Sequence, residues 1–439
     1  MTKLVPLFAL VLFLLPLATT RAQTPEDFAE MWEKSHVSNI FPSNVRHADV
    51  KQYLEKMKSL GIKIEQVGLS YGNREIYQME WGNGPLRVFM WSQMHGDEPT
   101  ATSALFDMFA YLKTHEDDEW VKNFAAKFTI RAIPMLNPDG SELYQRYNLQ
   151  GIDINRDAVA LKTPEGQLLK KLRDDWAPNI GFNLHNQQEL TAAGPFARQA
   201  AISFLAVRGN KEGITSAGHE RNKRICAAMV LALNRFIRGN IGRYDEDYNG
   251  RAFGDNFSAW GTPVILIETG ALSGKDEMFL VKLNFVAFFA GLQSIVDGTE
   301  QSLSPSNYEL LPLNTSGRLV WWMFRGVSIV NPGPGTRPFN TDIAVNKLRR
   351  RESQPVIASV AAIGSLGGLT GLEEYDASDF YVFPRLDRIR IGSPAELLFY
   401  RKSRTVDWNS DNLETAFPPD AVFSEGKWTV GENAVPKKK

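Results

Sequence analysis

A chain of 439 residues exceeds what one hydrophobic core accommodates, so two folded units are expected. With 43% hydrophobic and 23% charged residues the make-up is that of an ordinary globular protein. A formal net charge of −1 offers no electrostatic basis for binding nucleic acid or anionic membranes, and the single cysteine, Cys226, excludes an internal disulfide.

At the N-terminus, Lys3 precedes the apolar stretch Leu4–Leu17, and Thr20-Arg21-Ala22 places small residues at positions −3 and −1 of a cleavage point after Ala22. The apolar run is shorter than the ~20 residues that span a bilayer, so residues 1–22 read as a cleavable signal peptide. The expected product is secreted or periplasmic, without stable membrane association after cleavage and without room for a long activation segment before Ser70. Pro25–Lys34 and Val50–Leu60 have helical patterns, and Ser70-Tyr71-Gly72-Asn73 marks a turn. Strands are predicted at Leu86–Gln93, Phe128–Met135, Ile180–Leu184, Ala201–Val207 and Val264–Ile267. Helices are predicted at Thr100–Thr114, Thr163–Asp175, Glu220–Arg238 and Glu277–Asp297. Apolar runs separated by amphipathic helices indicate an α/β sheet covered on both faces. Cys226 falls in the apolar helical stretch Ile225–Phe236 and reads as a buried structural thiol. Composition shifts near Gly298–Ser306, so residues 23–302 are read as one α/β domain and 303–439 as a smaller β-rich accessory domain. The terminal Lys437-Lys438-Lys439 reads as a solvated tail.

Chemistry enters where the first predicted strand gives way to a helix, at His95-Gly96-Asp97-Glu98. A histidine and a carboxylate three residues apart at such a corner can grip one metal ion. A hydrolytic zinc site needs three protein ligands and an open position. Of the six histidines, His36, His47, His115 and His219 lie in polar or charged sequence and are expected at the surface. His185 instead ends the apolar run Ile180–Leu184, and 86 residues separate it from Glu98. His95, Glu98 and His185 thus make a two-nitrogen, one-carboxylate set suited to zinc. Between them, Asn137-Pro138-Asp139-Gly140 is a turn signal. The run Arg146 to Arg156 carries two arginines, Asn155 and Asp153 in a non-periodic stretch, offering donors to a carboxylate and to a developing oxyanion. Glu268 ends the apolar run Val264–Ile267, where a general base for water would face a cleft.

The order His-x-x-Glu, Asn-Pro-Asp-Gly, Arg-x-Asn-x-x-Gly-Ile-Asp-Ile-Asn-Arg, strand-end His and strand-end Glu resembles the zinc carboxypeptidase family, the carboxypeptidase A-like metallopeptidases, from about Ser70 to Gly298. The resemblance implies a mixed, mainly parallel sheet with helices on both faces. It implies one zinc ion held by His95, Glu98 and His185, with Asp153 orienting the first histidine. It further implies Glu268 as base and proton shuttle for a zinc-activated water, and Arg146 as the oxyanion stabiliser. Asn155 and Arg156 would hold the terminal carboxylate of a peptide substrate, with Tyr248, or alternatively Tyr244, capping it. Asp157, the Asn186-Gln187-Gln188 run and the segment Ala252–Phe257 depart from the usual pattern. Asp255 in that segment reads as a structural hydrogen-bonding group or a selector for a basic residue.

The implied activity is hydrolysis of the C-terminal peptide bond of peptides. A same-fold amidase or peptidase acting on cell-wall peptides or acylated amino acids keeps the chemistry and changes the substrate. A catalytically inactive peptide- or glycan-binding protein would lack a ligand or the base, and none is missing.

Overall fold

The computed structural model describes residues 23–333, 335–431 and 437–438; the signal peptide read at residues 1–22 lies outside them. In the first unit the chain runs from α1 (Pro25–Ser35) and α2 (His47–Leu60) into β1 (Lys63–Leu69), β2 (Glu75–Gly82) and β3 (Leu86–Ser92). Then come α3 (Thr100–Thr114), α4 (Glu119–Lys127), β4 (Phe128–Ile133), α5 (Pro138–Leu143), α6 (Pro164–Trp176) and β5 (Ile180–Asn186). The short β6 (Ala192–Ala193) precedes β7 (Ile202–Ala206), α7 (Ala217–Ile237), β8 (Ile241–Arg243), α8 (Phe253–Ala259), β9 (Val264–Thr269) and α9 (Glu277–Val296).

Eight of these strands form one sheet in the order β1-β2-β4-β3-β5-β9-β7-β8. Its centre, β4-β3-β5-β9, is parallel, while β1 and β2 add antiparallel pairs at one edge and β7 runs antiparallel to β9. The fold is therefore the expected mixed α/β sheet, and β5 is buried along its whole length, as a central parallel strand should be.

Side chains alternate between the two faces with period two, which splits the core. Val88, Met90, Phe182, Leu184, Ile265 and Ile267 face α1, α3, α7 and α9. Phe89, Trp91 and Val264 face the other way, against Leu169 of α6 and Phe253 and Phe257 of α8. By the same alternation His185 and Glu268 point to the α6–α8 side. Helix α9 is long and apolar enough to cross a membrane, but 78% of its apolar window is buried inside the protein, which makes it a core helix. Cys226 is buried, and burial pushes its thiol pKa up. His47 and His219, read as surface residues, are buried. Each spends a ring N–H on a backbone carbonyl, of Glu75 at 2.9 Å and of Ala206 at 3.1 Å.

Residues 306–315 still pack on the first unit. The Ala206 N–H donates to the Tyr308 hydroxyl of α10 (Ser306–Glu309) at 3.0 Å, and β10 (Asn314–Thr315) pairs with β6. The β-rich part follows as β11 (Leu319–Ile329), β12 (Phe339–Lys347), β13 (Ala358–Gly364), β14 (Thr370–Asp376), β15 (Phe380–Pro384), β16 (Leu397–Arg401), β17 (Ala421–Ser424), β18 (Lys427–Val430) and β19 (Lys437–Lys438). These form one sheet in the order β13-β12-β11-β15-β16-β17-β18, with β14 beside β11 and β19 beside β14. Its core gathers Phe324, Phe399, Phe423, Tyr375 and Trp428. The Lys437-Lys438 backbone pairs with β14, where a solvated tail was expected.

The N-terminal segment is fastened by one buried carboxylate. Asp107 of α3 accepts hydrogen bonds from Trp32 Nε1 (2.8 Å), the Val37 and Ser38 N–H groups (both 2.8 Å) and Ser38 Oγ (2.7 Å). Asp107→Ala leaves these donors without an acceptor and should destabilise the protein by about 3 kcal/mol or more. A urea melt of the variant that superposes on that of the wild type would show the carboxylate to be dispensable.

Candidate metal and catalytic centre

The chain leaves β3 through Gln93, whose φ of 46° turns it sharply, and reaches α3 at Thr100. In the loop between, the Glu98 N–H donates to the His95 carbonyl at 3.2 Å and Gln93 Nε2 donates to the Gly96 carbonyl at 3.0 Å. Gly96 is required by contact: a Cβ there would lie 1.9 Å from the Gly140 carbonyl carbon. Gly140 belongs to Asn137-Pro138-Asp139-Gly140, which opens α5 with Asn137 as its cap. Asn137 Oδ1 accepts from the Gly140 N–H at 2.8 Å, and its Nδ2 donates to the Met94 carbonyl at 3.2 Å. The turn signal is thus the bed on which the metal loop lies.

His95, Glu98 and His185 converge, with one donor atom from each within 4.8 Å of the others. The two Nδ1 atoms are 3.1 Å apart; Glu98 Oε1 is 2.8 Å from His95 Nδ1, and Oε2 is 2.6 Å from His185 Nδ1. All three side chains are buried. Two imidazole nitrogens aimed at one another and at one carboxylate suit a cation that both nitrogens bind as neutral ligands, and the donor set is the one zinc takes. The Asn186 N–H holds Glu98 Oε2 at 3.1 Å. On the far side of the first ring, His95 Nε2 is 3.1 Å from Asp153 Oδ1, the outer contact that fixes a ligand's tautomer.

The electrostatics follow the packing. Burial opposes charge on His95, but Glu98 and Asp153 push its pKa up to about 9. Burial outweighs Glu98 at His185 and lowers that pKa. Burial also works against ionised Glu98 and Asp153, yet the facing histidines hold Glu98 well below the usual carboxylate range, and His95 with Arg146 does the same for Asp153.

Arg146 places Nε 3.0 Å and Nη2 2.9 Å from Asp153 Oδ2, and its Nη1 is 3.5 Å from Glu98 Oε1, at the open edge of the cluster. Asn155 Oδ1 accepts from the Phe253 N–H at 2.9 Å, which fastens the start of α8. Arg156 donates one bond to the Asn155 carbonyl at 2.7 Å and stands near Asp255. Asp255 itself accepts from the Asn249 N–H at 3.0 Å, a structural bond. Asp157 caps the next turn through the Thr163 N–H and hydroxyl, both at 2.7 Å. Tyr244 is partly buried and donates to Gln187 Oε1 at 3.1 Å; burial, then Glu268 and Glu98, raise its pKa. Tyr248 lies on the following loop, its ring against Gly250.

Glu268 is the strand neighbour of His185 in the β5–β9 register. Burial, then the negative charge of Glu98, push its carboxyl up to about 8. One contributor escaped sequence reasoning. Arg349, from the β-rich unit, donates to the Asp97 carbonyl at 2.6 Å and adds positive charge near Glu268. The run Leu348-Arg349-Arg350-Arg351 was visible, but nothing local ties it to a loop 252 positions away.

The parallel-centred α/β sheet thus brings together a His–Glu–His set that could hold a metal ion and, in register with His185, a neighbouring glutamate. Residues 49–217 match the family model for zinc carboxypeptidases, a family whose metal is zinc. The probable carboxypeptidase 2 of Arthroderma benhamiae is 30% identical over 121 residues, 28% of this chain and 22% of that relative. Carboxypeptidase 2 of Trichophyton rubrum is 29% identical over 134 residues, 29% of this chain and 24% of the relative. The aligned stretches therefore span about a quarter of those relatives' length. Among solved structures, a metallo-carboxypeptidase from Burkholderia cenocepacia gives a TM-score of 0.47 at 14% identity, covering 57% of this chain and 69% of that one. The Pseudomonas aeruginosa metallo-carboxypeptidase, in complex with (2-guanidinoethylmercapto)succinic acid, gives 0.46 at 19% identity, covering 57% and 68%.

Two predictions test the centre. Zinc must displace the proton that His95 holds below about pH 9, so apparent zinc affinity should rise about tenfold per pH unit from pH 6 and level off near 9. Chelator titrations that give one affinity throughout would show that no proton competes. Gly96→Ala should leave the protein folded but strip it of zinc, read by circular dichroism and metal analysis; full zinc content would mean the loop tolerates the displacement.

Proposed function

We propose that the protein is an exported zinc-dependent metallocarboxypeptidase that hydrolyses the C-terminal peptide bond of peptides. The observation that carries this reading is the convergence of His95 Nδ1, His185 Nδ1 and the Glu98 carboxylate beside a half-buried Glu268 in register with His185. One zinc ion per chain is held by His95, Glu98 and His185. When bound, zinc supplies Lewis acidity, polarising the scissile carbonyl and lowering the pKa of a water to roughly 7.

Glu268 takes the proton from the attacking water and later delivers it to the leaving amine. Its raised pKa suits both halves of that task, and offsetting the charge of Glu98 removes one of the two causes of the shift. Arg146 neutralises the oxyanion, and Asp153, which grips both Arg146 and His95, keeps the two aligned. Arg156 and the free amide nitrogen of Asn155 bind the terminal carboxylate, so that binding energy away from the reacting bond goes into positioning it. Tyr248 caps the bound residue from its loop. Residues 1–22 direct export and are removed after Ala22.

Metal analysis should find about one zinc per chain, lost on changing His95 or His185; retention in both variants would remove these residues as ligands. Glu268→Gln should keep zinc and lose about 10²–10⁴-fold in rate, and unchanged turnover would take Glu268 out of the reaction. Arg156→Ala should weaken binding of free-acid peptides far more than binding of their C-terminal amides. Equal effects on both would point away from a carboxypeptidase, and a mixed peptide and muropeptide library read by mass would then show which bond is cut. Mass analysis of the exported protein should place its first residue at Gln23.

A further inference from the structure

The loop that carries two of the metal ligands is held from three directions, and one of them is the other unit. Gln93 holds the Gly96 carbonyl, and Asp153 meets the His95 ring. The third contact is Arg349, just beyond the end of β12, whose Nη2 donates to the Asp97 carbonyl at 2.6 Å. That carbonyl belongs to the peptide unit joining Asp97 to Glu98. The N–H of the same unit donates to the His95 carbonyl. A peptide plane held at both its C=O and its N–H cannot rotate, so the direction in which Glu98 leaves the backbone is set by Arg349 as much as by the turn itself.

The guanidinium has further partners. It stands near the Tyr144 hydroxyl and among the carboxylates of Asp97, Glu98 and Glu189, whose negative charge it offsets. Arg349 is in turn rigidly presented. Residues 347, 349 and 351 alternate with their neighbours along an extended segment and face the first unit. Lys347 lies over the Trp321 ring at 3.9 Å and 3.6 Å from Glu189. Arg351 donates to the Ser43 carbonyl at 2.7 Å and to the Ser141 carbonyl, and lies over the Tyr144 ring at 4.9 Å. Arg350, between them, turns back to the Pro355 carbonyl of its own unit at 3.1 Å.

We propose that Arg349 is a positioning residue of the metal centre: the β-rich unit fixes the Asp97–Glu98 peptide and thereby completes the zinc site of the other unit. The inference rests on reading His95, Glu98 and His185 as zinc ligands. It assigns the second unit a part in metal retention, exerted through the backbone between two ligands rather than through contact with substrate.

The test is zinc affinity measured by chelator competition on the full-length protein, beside its thermal melting. Outer partners of a metal site are typically worth 10–100-fold in affinity. Arg349→Gln should bind zinc roughly tenfold or more weakly, and Arg349→Lys, which keeps the charge but loses the fork, should fall between it and the wild type. Arg351→Gln removes docking bonds without touching residues 95–98; it should lower Tm and keep wild-type zinc affinity. Wild-type affinity in Arg349→Gln overturns the proposal. So does an equal loss in Arg349→Gln and Arg351→Gln, since docking alone would then explain both. A wild-type chain that takes up no zinc overturns the ligand assignment and this proposal together, whereas zinc binding in the wild type with no change in Arg349→Gln overturns this proposal alone.

Discussion

Everything at the strand ends depends on keeping one carboxylate ionised where water cannot reach it. Glu98 is buried, and desolvation alone would neutralise it. Two imidazoles and a backbone N–H at its oxygens hold the charge in place. The cost of that arrangement spreads outward. His95 is drawn towards its charged form and needs Asp153, Asp153 needs Arg146, and Glu268 is pushed towards its neutral form by the same negative centre. A divalent cation resolves these tensions together, because it lets both histidines be neutral ligands and balances the carboxylate.

The sheet supplies the precision. Strand alternation sends His185 and Glu268 to the same face, and the parallel register of β5 and β9 makes them neighbours without any loop having to adopt a special shape. His95 and Glu98 come from a loop instead, and that loop is held by contact. Gly96 lies against the backbone of Gly140, and Asn137, whose Oδ1 caps its own turn, ties the two segments by donating from Nδ2 to the Met94 carbonyl. Rigid strands carry half of the centre, and a packed corner carries the rest.

Much of this was legible in the chain. Helix α3 follows the predicted Thr100–Thr114, because a mostly apolar 15-residue stretch with no glycine or proline leaves little choice. The central strands are short apolar runs, and they fall where expected to within a few residues at each end. The edge strands β1 and β2 were not read as strands, since Lys63–Leu69 is half-exposed and lacks a continuous apolar run. His47 and His219 were misplaced because their neighbours in sequence are polar, while their partners are carbonyls brought by other strands. That His95, Glu98 and His185 would cluster was readable from residue types at strand ends. Arg349 was not, because a contact across 252 positions leaves no local trace.

That last contact bears on the order in which the molecule can be made. A bond between Asp97 and Arg349 closes only after most of the chain exists, and long-range contacts are the slow ones to form. During synthesis from the N-terminus, the His95–Glu98 corner and the strand bearing His185 can assemble well before the residues beyond β12 arrive. The first unit would then pass through a stage with His95, Glu98 and His185 all present and the Asp97–Glu98 peptide not yet bonded to Arg349. Maturation of the centre becomes a late event, timed by the arrival of the C-terminal sheet.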